Sequence, residues 1–194
     1  VCEDTGRADG AVCECVHALV RELRRGQINA SSPLGLCSFD TFSLEKYPET
    51  LVPELGLTAR AHMAQVLEYC QYYAAHFSPE SSPSLYLFGG AGLGKTHLAL
   101  SIANAVLERN RDVMYVSAQN AFGAAERERF SDADGDTMAA LQSAELLILD
   151  DLGTEYISPY VSSCLYSLIN TRVCRRLPTI YTSNIVSDAD LQRR

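Results

Sequence analysis

Lysine is almost missing from this chain. Of its sixteen cationic side chains fourteen are arginines, and the only lysines are Lys46 and Lys95. Acids outnumber bases and the formal net charge is −8, which argues against a general polyanion-binding surface. No apolar run approaches the ~20 residues of a membrane-spanning helix, and no signal peptide opens the sequence, so no membrane association is expected. Internal repeats and low-complexity segments are also missing. Seven cysteines are an odd number, and Cys37, Cys70, Cys164 and Cys174 are scattered, so a secreted disulfide framework is excluded and a reducing cytoplasm suits them better. What remains is ordinary: 194 residues, 47% hydrophobic and 21% charged, enough for one α/β domain with a short appendage. A chain of this size buries roughly 70% of its unfolded-state surface and needs no staple. It starts at Val1 rather than Met and stops at Arg193-Arg194 inside a helical pattern, so it is expected to be a fragment cut at both ends.

Composition divides the chain into residues 1–30, with three close cysteines and a helical stretch, a Ser/Pro/Gly-rich connector over 31–56, and a core over 57–194. In the first helical stretch Val16, Leu19, Val20 and Leu23 share a face, with Arg21, Arg24 and Arg25 off it. Thr58 is placed to cap a helix over 58–77, which Ser81-Ser82-Pro83 ends. Strands are predicted over 84–88, 113–117, 145–149 and 179–183, and helices over 95–108, 118–130, 138–144 and 158–176, with an acidic loop over 131–136. This alternation predicts a parallel sheet covered by helices on both faces, with right-handed crossovers.

The sharpest signal is Gly89-Gly90-Ala91-Gly92-Leu93-Gly94-Lys95-Thr96, a G-x-x-x-x-G-K-[ST] match with an apolar strand before it and a helical pattern after it. Glycines let the backbone wrap so that its N–H groups converge on phosphate oxygens. The positive end of the helix starting near Lys95 points at the same anion. Lys95 supplies a point charge for the β and γ phosphates, and the Thr96 hydroxyl is suited to ligate Mg²⁺.

A second signal is the hydrophobic run Leu146-Leu147-Ile148-Leu149, which delivers Asp150 and Asp151 to a strand end. Ligands of open α/β sheets bind at that edge. Neighbouring strand residues point to opposite sides, so Asp150 is assigned to Mg²⁺, through water, and Asp151 to the attacking water as general base. Without the upstream phosphate loop, the same residues would read as a solvated turn. The strand over 179–183 ends in Ser183-Asn184, by itself only a turn signal.

From about Leu57 to its end the chain resembles an AAA+ ATPase of the bacterial replicative-helicase loader family (DnaC/DnaI type), with similarity to IstB-type transposition helper ATPases. The resemblance is carried by residues 89–96 followed by His97-Leu98-Ala99, by 147–153 with Glu155, by Leu168-Ile169-Asn170-Thr171-Arg172, and by 178–184. It implies a P-loop NTPase core with strand order 5-1-4-3-2, counted from the strand before the glycine-rich turn, strand 5 and the C-terminal lid lying outside this chain. It implies ATP or ADP and Mg²⁺ as ligands, held by Gly89, Gly90, Ala91, Gly92, Leu93, Gly94, Lys95, Thr96 and His97. Thr96 and Asp150 would serve the metal, Asp151 would polarise water, and Asn184 would sense the γ phosphate. Phe39 and Phe42 would pack near the adenine or in the core, and Arg172 would face a neighbouring subunit.

The function implied is loading of a hexameric replicative DNA helicase onto single-stranded DNA within a primosome, with self-association through AAA+ interfaces. The IstB alternative would have a transposase and duplex DNA as partners. A small-molecule kinase would need a lid and a cluster of substrate arginines, and neither is recognisable. The arginine finger and second sensor of the family should follow Asn184, so negligible ATPase activity is expected from this chain alone.

Two further segments, one before the core and one within it, carry their own expectations. Cys2, Cys13 and Cys15 resemble the cysteine-rich module preceding such ATPase domains and suit Zn²⁺, the fourth ligand lying before Val1 or being His17. The alternative is three free thiols in a frayed terminus. The remaining cysteines read as small buried hydrophobes. Over 118–130, Phe122, Phe130, Arg127 and Arg129 could stack on and pair with single-stranded DNA. Glu126 and Glu128 alternate with those arginines, however, and favour a solvated helix face.

Overall fold

A computed structural model describes residues 2, 4–8, 10–130, 136–156 and 158–186. Residues 131–135 of the acidic loop, the Phe130 side chain, and Arg193 and Arg194 lie outside the described residues. The chain opens with a hairpin of β1 (Arg7–Ala8) and β2 (Ala11–Val12), followed by α1 (Glu14–Ser31). The connector carries short 3-10 turns at Phe39–Thr41 and Leu44–Lys46, then pairs β3 (Leu51–Val52) with β4 (Leu57–Thr58). Neither small hairpin was legible beforehand, since two-residue strands leave no periodicity.

In α2 (Ala59–Ala75) the Thr58 hydroxyl accepts from the Ala61 N–H at 3.1 Å, as its position predicts. Then β5 (Leu85–Phe88), α3 (Lys95–Glu108), β6 (Val113–Ser117), α4 (Ala118–Phe130), α5 (Thr137–Ser143), β7 (Leu146–Leu152), α6 (Pro159–Cys174) and β8 (Thr179–Ser183) follow. The four long strands are all parallel, in the order β5-β8-β7-β6. That is the expected 1-4-3-2 portion of the core sheet.

Strand parity divides the core. Val113, Tyr115, Leu146, Ile148 and Ile180 face α2 and α3 on one side, whereas Leu147 and Leu149 pack against α4, α5 and α6 on the other. The near-continuous apolar run of β7 is what a strand buried on both faces requires. Each fully buried Leu or Ile contributes ~1.5–3 kcal/mol, so β7, buried from Leu146 to Asp150, anchors the sheet.

Several expectations are corrected. In α1 the covered positions are Val16, His17, Arg21, Arg24, Arg25 and Ile28; of the expected apolar face only Val16 is half-buried, while Val20 is exposed and Leu19 and Leu23 are 61% and 60% exposed. Arginine stems cover the apolar surface, and their heads meet acids and amides at the far end of α3: Arg24 pairs with Asp112 at 2.7 Å, and Arg25 with Glu108. Arg172 does not face a neighbour. It is 1% exposed, and its guanidinium donates to Thr179 Oγ1 (2.8 Å), Leu141 O (2.8 Å), Ala144 O (2.9 Å) and Pro178 O (2.7 Å). It thereby closes the C-terminal end of α5, and burial pulls its pKa down to about 10. Phe122 is 1% exposed in the core and offers no stacking platform, and Arg129 lies over the Tyr160 ring at 4.7 Å. Cys70 and Cys164 are buried as expected, but Cys174 is exposed. No helix among the described residues is long and apolar enough to cross a membrane.

Candidate functional site

The turn between β5 and α3 is built by conformations that side chains resist. Gly92 and Gly94 take φ of 77° and 83°, and Gly94 forms the N-terminal cap of α3. A Cβ at Gly94 would lie 2.7 Å from Phe42 Cε2 and 2.9 Å from Tyr47 Oη, so the connector presses directly on the loop. Tyr47 donates to Leu93 O at 3.0 Å, and Phe42 sits edge-on to His97. The resulting cavity of about 660 Å³ has Ala91 to His97 on one wall and Phe42, Lys46 and Tyr47 on the other, with Asp150, Asp151 and Asn184 at its base. Its size falls in the ordinary range for small-molecule sites.

Lys95 is buried, and its ammonium donates to Gly89 O (2.9 Å), Gly90 O (2.8 Å) and Asn184 Oδ1 (2.8 Å). Gly89 and Gly90 therefore serve the lysine through their carbonyls and do not line the cavity. His97 does line it, yet its Nε2 lies 3.1 Å from Thr41 Oγ1 and 3.2 Å from Ser38 O, tying α3 to the connector. Of the two connector phenylalanines, Phe42 reaches the cavity and Phe39 packs against the core.

Asp150 shares the parity of Ile148 and so faces α3. The Thr96 hydroxyl donates to it at 3.0 Å, bridging 54 positions of sequence. Two donors that sequence reasoning missed complete its environment: Thr182 Oγ1 at 2.6 Å and Tyr115 Oη at 2.7 Å. Both stand on the same sheet face, and the parity of each strand could have found them. Asp151 does not simply alternate to the opposite side. The β7–β8 register shifts between Leu149 and Leu152, two aspartates stand against one Thr182, and Asp151 adopts a left-handed φ of 54°. Its N–H donates to Thr182 Oγ1 at 2.9 Å, and its carboxyl is drawn into the cavity. Partial burial raises the Asp151 pKa, Asp150 adds to the rise, and Lys95 opposes it.

A buried carboxylate beside a hydroxyl, at the rim of an anion cradle, is a hard-oxygen donor pair that fits Mg²⁺. At the N-terminus, the Sγ atoms of Cys2, Cys13 and Cys15 lie within 4.8 Å of one another, with Cys2 and Cys15 3.3 Å apart. Soft thiol donors at that spacing fit zinc. Hydrogen bonds, first from Cys15, pull the Cys2 thiol down to about 7. His17 is not among these ligands; it borders a separate recess between α1 and α3.

Sheet order, phosphate loop and paired strand-end acids define an AAA+ P-loop ATP-binding domain. The family model for IstB-like ATP-binding proteins matches residues 72–189, and the chain belongs to that family. The replicative helicase loader DnaI of Bacillus subtilis (strain 168) is 27% identical over 136 residues, covering 70% of this chain and 44% of the relative. An insertion-sequence ATP-binding protein of Mycobacterium tuberculosis is 26% identical over 167 residues, covering 86% of this chain and 59% of that protein. Among solved structures, the DnaC helicase loader superposes with a TM-score of 0.60 at 22% identity, over 80% of this chain and 83% of that one. The chain spans about half the length of the curated relatives it matches.

Proposed function

We propose that this chain is the ATP-binding core of a replicative-helicase loader, acting in the cytoplasm as a primosome component that places a hexameric helicase on single-stranded DNA. The observation that carries the nucleotide part is the convergence of Lys95, Thr96, Asp150, Asp151 and Asn184 on one cavity. Loop amides and the N-terminus of α3 would bind the β and γ phosphates, and Lys95 would exchange the Gly89 and Gly90 carbonyls for phosphate oxygens. Mg²⁺, held by Thr96 and through water by Asp150, would supply charge neutralisation on the phosphates. Asp151 would orient the attacking water and accept its proton, and Asn184, released from Lys95, would contact the γ phosphate. Among the described residues no arginine lines the cavity, so we propose nucleotide binding with negligible turnover until a neighbouring subunit contributes one. The Cys2, Cys13 and Cys15 hairpin would hold a structural zinc, completed by a fourth ligand.

The relation to DnaI and the resemblance of the cysteine module to that of loaders favour the helicase as partner. The family match and the insertion-sequence relative favour a second reading, a transposition helper acting with a transposase on duplex DNA. Co-purification of the protein with the replicative helicase and the transposase of its host, each with ATP, ADP or no nucleotide, separates them. ATP-dependent capture of the helicase is the expected outcome. Capture of the transposase alone overturns the loader reading.

A further inference from the structure

Four side chains of β6, β7 and β8 face α3 near the strand-end carboxylates: Tyr115, Ile148, Asp150 and Thr182. Ile148 is simply core. Tyr115 is different, because it is 5% exposed and packed as a core residue, yet carries a hydroxyl that phenylalanine would not. A buried hydroxyl costs ~1–3 kcal/mol unless it finds a partner, and this one finds Asp150 Oδ2 at 2.7 Å.

The four contacts on Asp150 are not equivalent. Thr182 donates to Oδ1 at 2.6 Å from the strand beside β7, and Tyr115 donates to Oδ2 from the strand on the other side. Thr96 alone stands on the helix at the cavity, reaching Oδ1 at 3.0 Å and Oδ2 at 3.3 Å. When the Thr96 hydroxyl turns to a cation, each carboxylate oxygen keeps one donor, Thr182 at Oδ1 and Tyr115 at Oδ2. The direction of the Tyr115 bond is fixed by chemistry, because the phenol carries the proton and the carboxylate oxygen accepts it.

We infer that Tyr115 is a positioning residue for the divalent cation of the nucleotide site, holding the Asp150 carboxylate in its metal-binding orientation through Oδ2. This rests on the assignment of the cavity to a magnesium nucleotide. Partners of this kind behind a metal-binding carboxylate are typically worth ~10–100-fold in metal affinity. Thr96, and Asp150 through water, face the cation, so Tyr115 acts only through Asp150.

The test measures ADP affinity of the full chain and of Tyr115→Phe, each titrated with Mg²⁺ and each in EDTA. The ring is retained, so packing is preserved. The Tyr115→Phe protein should need about ten times more Mg²⁺ for the same ADP affinity, with its affinity in EDTA equal to that of the parent. Equal Mg²⁺ dependence in both proteins overturns the inference and leaves the nucleotide site standing. Weakening to the same degree with and without Mg²⁺, or loss of binding altogether in the variant, also overturns it, because the hydroxyl then serves folding. Failure of the parent to bind ADP in any condition overturns the nucleotide reading itself.

Discussion

Replacing Arg172 by methionine keeps a long apolar stem and removes the guanidinium that closes α5. The native fork is 1% exposed and makes hydrogen bonds to Thr179 Oγ1, Leu141 O, Ala144 O and Pro178 O, all neutral acceptors. Leaving an acceptor without a donor costs ~1–3 kcal/mol, and of the four only Pro178 O keeps a second donor among the described residues, the Leu147 N–H at 3.4 Å. Against this, the variant no longer takes a cation out of water, a penalty of several kcal/mol. Low-end losses at the other three acceptors already sum to ~3 kcal/mol, and relief of the buried charge trims the higher estimates, so a net loss of about 2–4 kcal/mol is expected. For a chain of this length that is a large share of a total near 10 kcal/mol and lowers Tm by about 10 °C. Urea unfolding followed by circular dichroism should show a lower midpoint with unchanged slope. ADP affinity of the folded protein should not move, since Arg172 does not line the cavity. A loss below 1 kcal/mol would refute the reasoning. So would unchanged stability with weakened self-association, which would return Arg172 to a subunit interface.

Three other outcomes follow from the site. Lys95→Ala removes a charged donor worth ~1.5–3 kcal/mol, so ATP and ADP affinity by calorimetry should fall about 10–100-fold; equal affinity in both proteins would remove Lys95 from the site. Gly94→Ala puts a Cβ on a φ of 83° and 2.7 Å from Phe42, so the connector must shift. It should cost ~1–2 kcal/mol of stability and weaken nucleotide binding more than Gly56→Ala, which meets open space at a similar φ. Metal analysis of the full-length protein should find zinc near one equivalent, lost on Cys13→Ser, with chelation loosening the hairpin before α1 while leaving ADP affinity intact; absence of zinc after purification in zinc-containing medium would sink that assignment.

The phosphate loop, the apolar strands and the Asp150-Asp151 strand end were legible because they depend on neighbours a few positions away. A glycine spacing, a period of two and a capping threonine are local rules, and α3, β6, α4 and β8 begin and end at the expected residues. The failures share a different origin. In α1 Leu19 and Leu23 share an apolar face, yet that face is exposed, because acids and amides at the end of α3 draw the arginines inward. A helical wheel carries no information about the surface that will lie beneath it.

What the sequence alone determined was the kind of fold and the chemistry of its loop. Strand alternation compelled a parallel sheet, and the glycines with Lys95 compelled an anion site at its edge. Tertiary structure alone decided the partners of polar groups far apart in the chain. Lys95 meets Asn184 across 89 positions, and Tyr115 meets Asp150 across 35. The bulge that turns Asp151 into the cavity exists only because β7 and β8 pair out of step. Those choices depend on strand register and helix docking, where one residue of slip would send each of these side chains to the opposite face of the sheet.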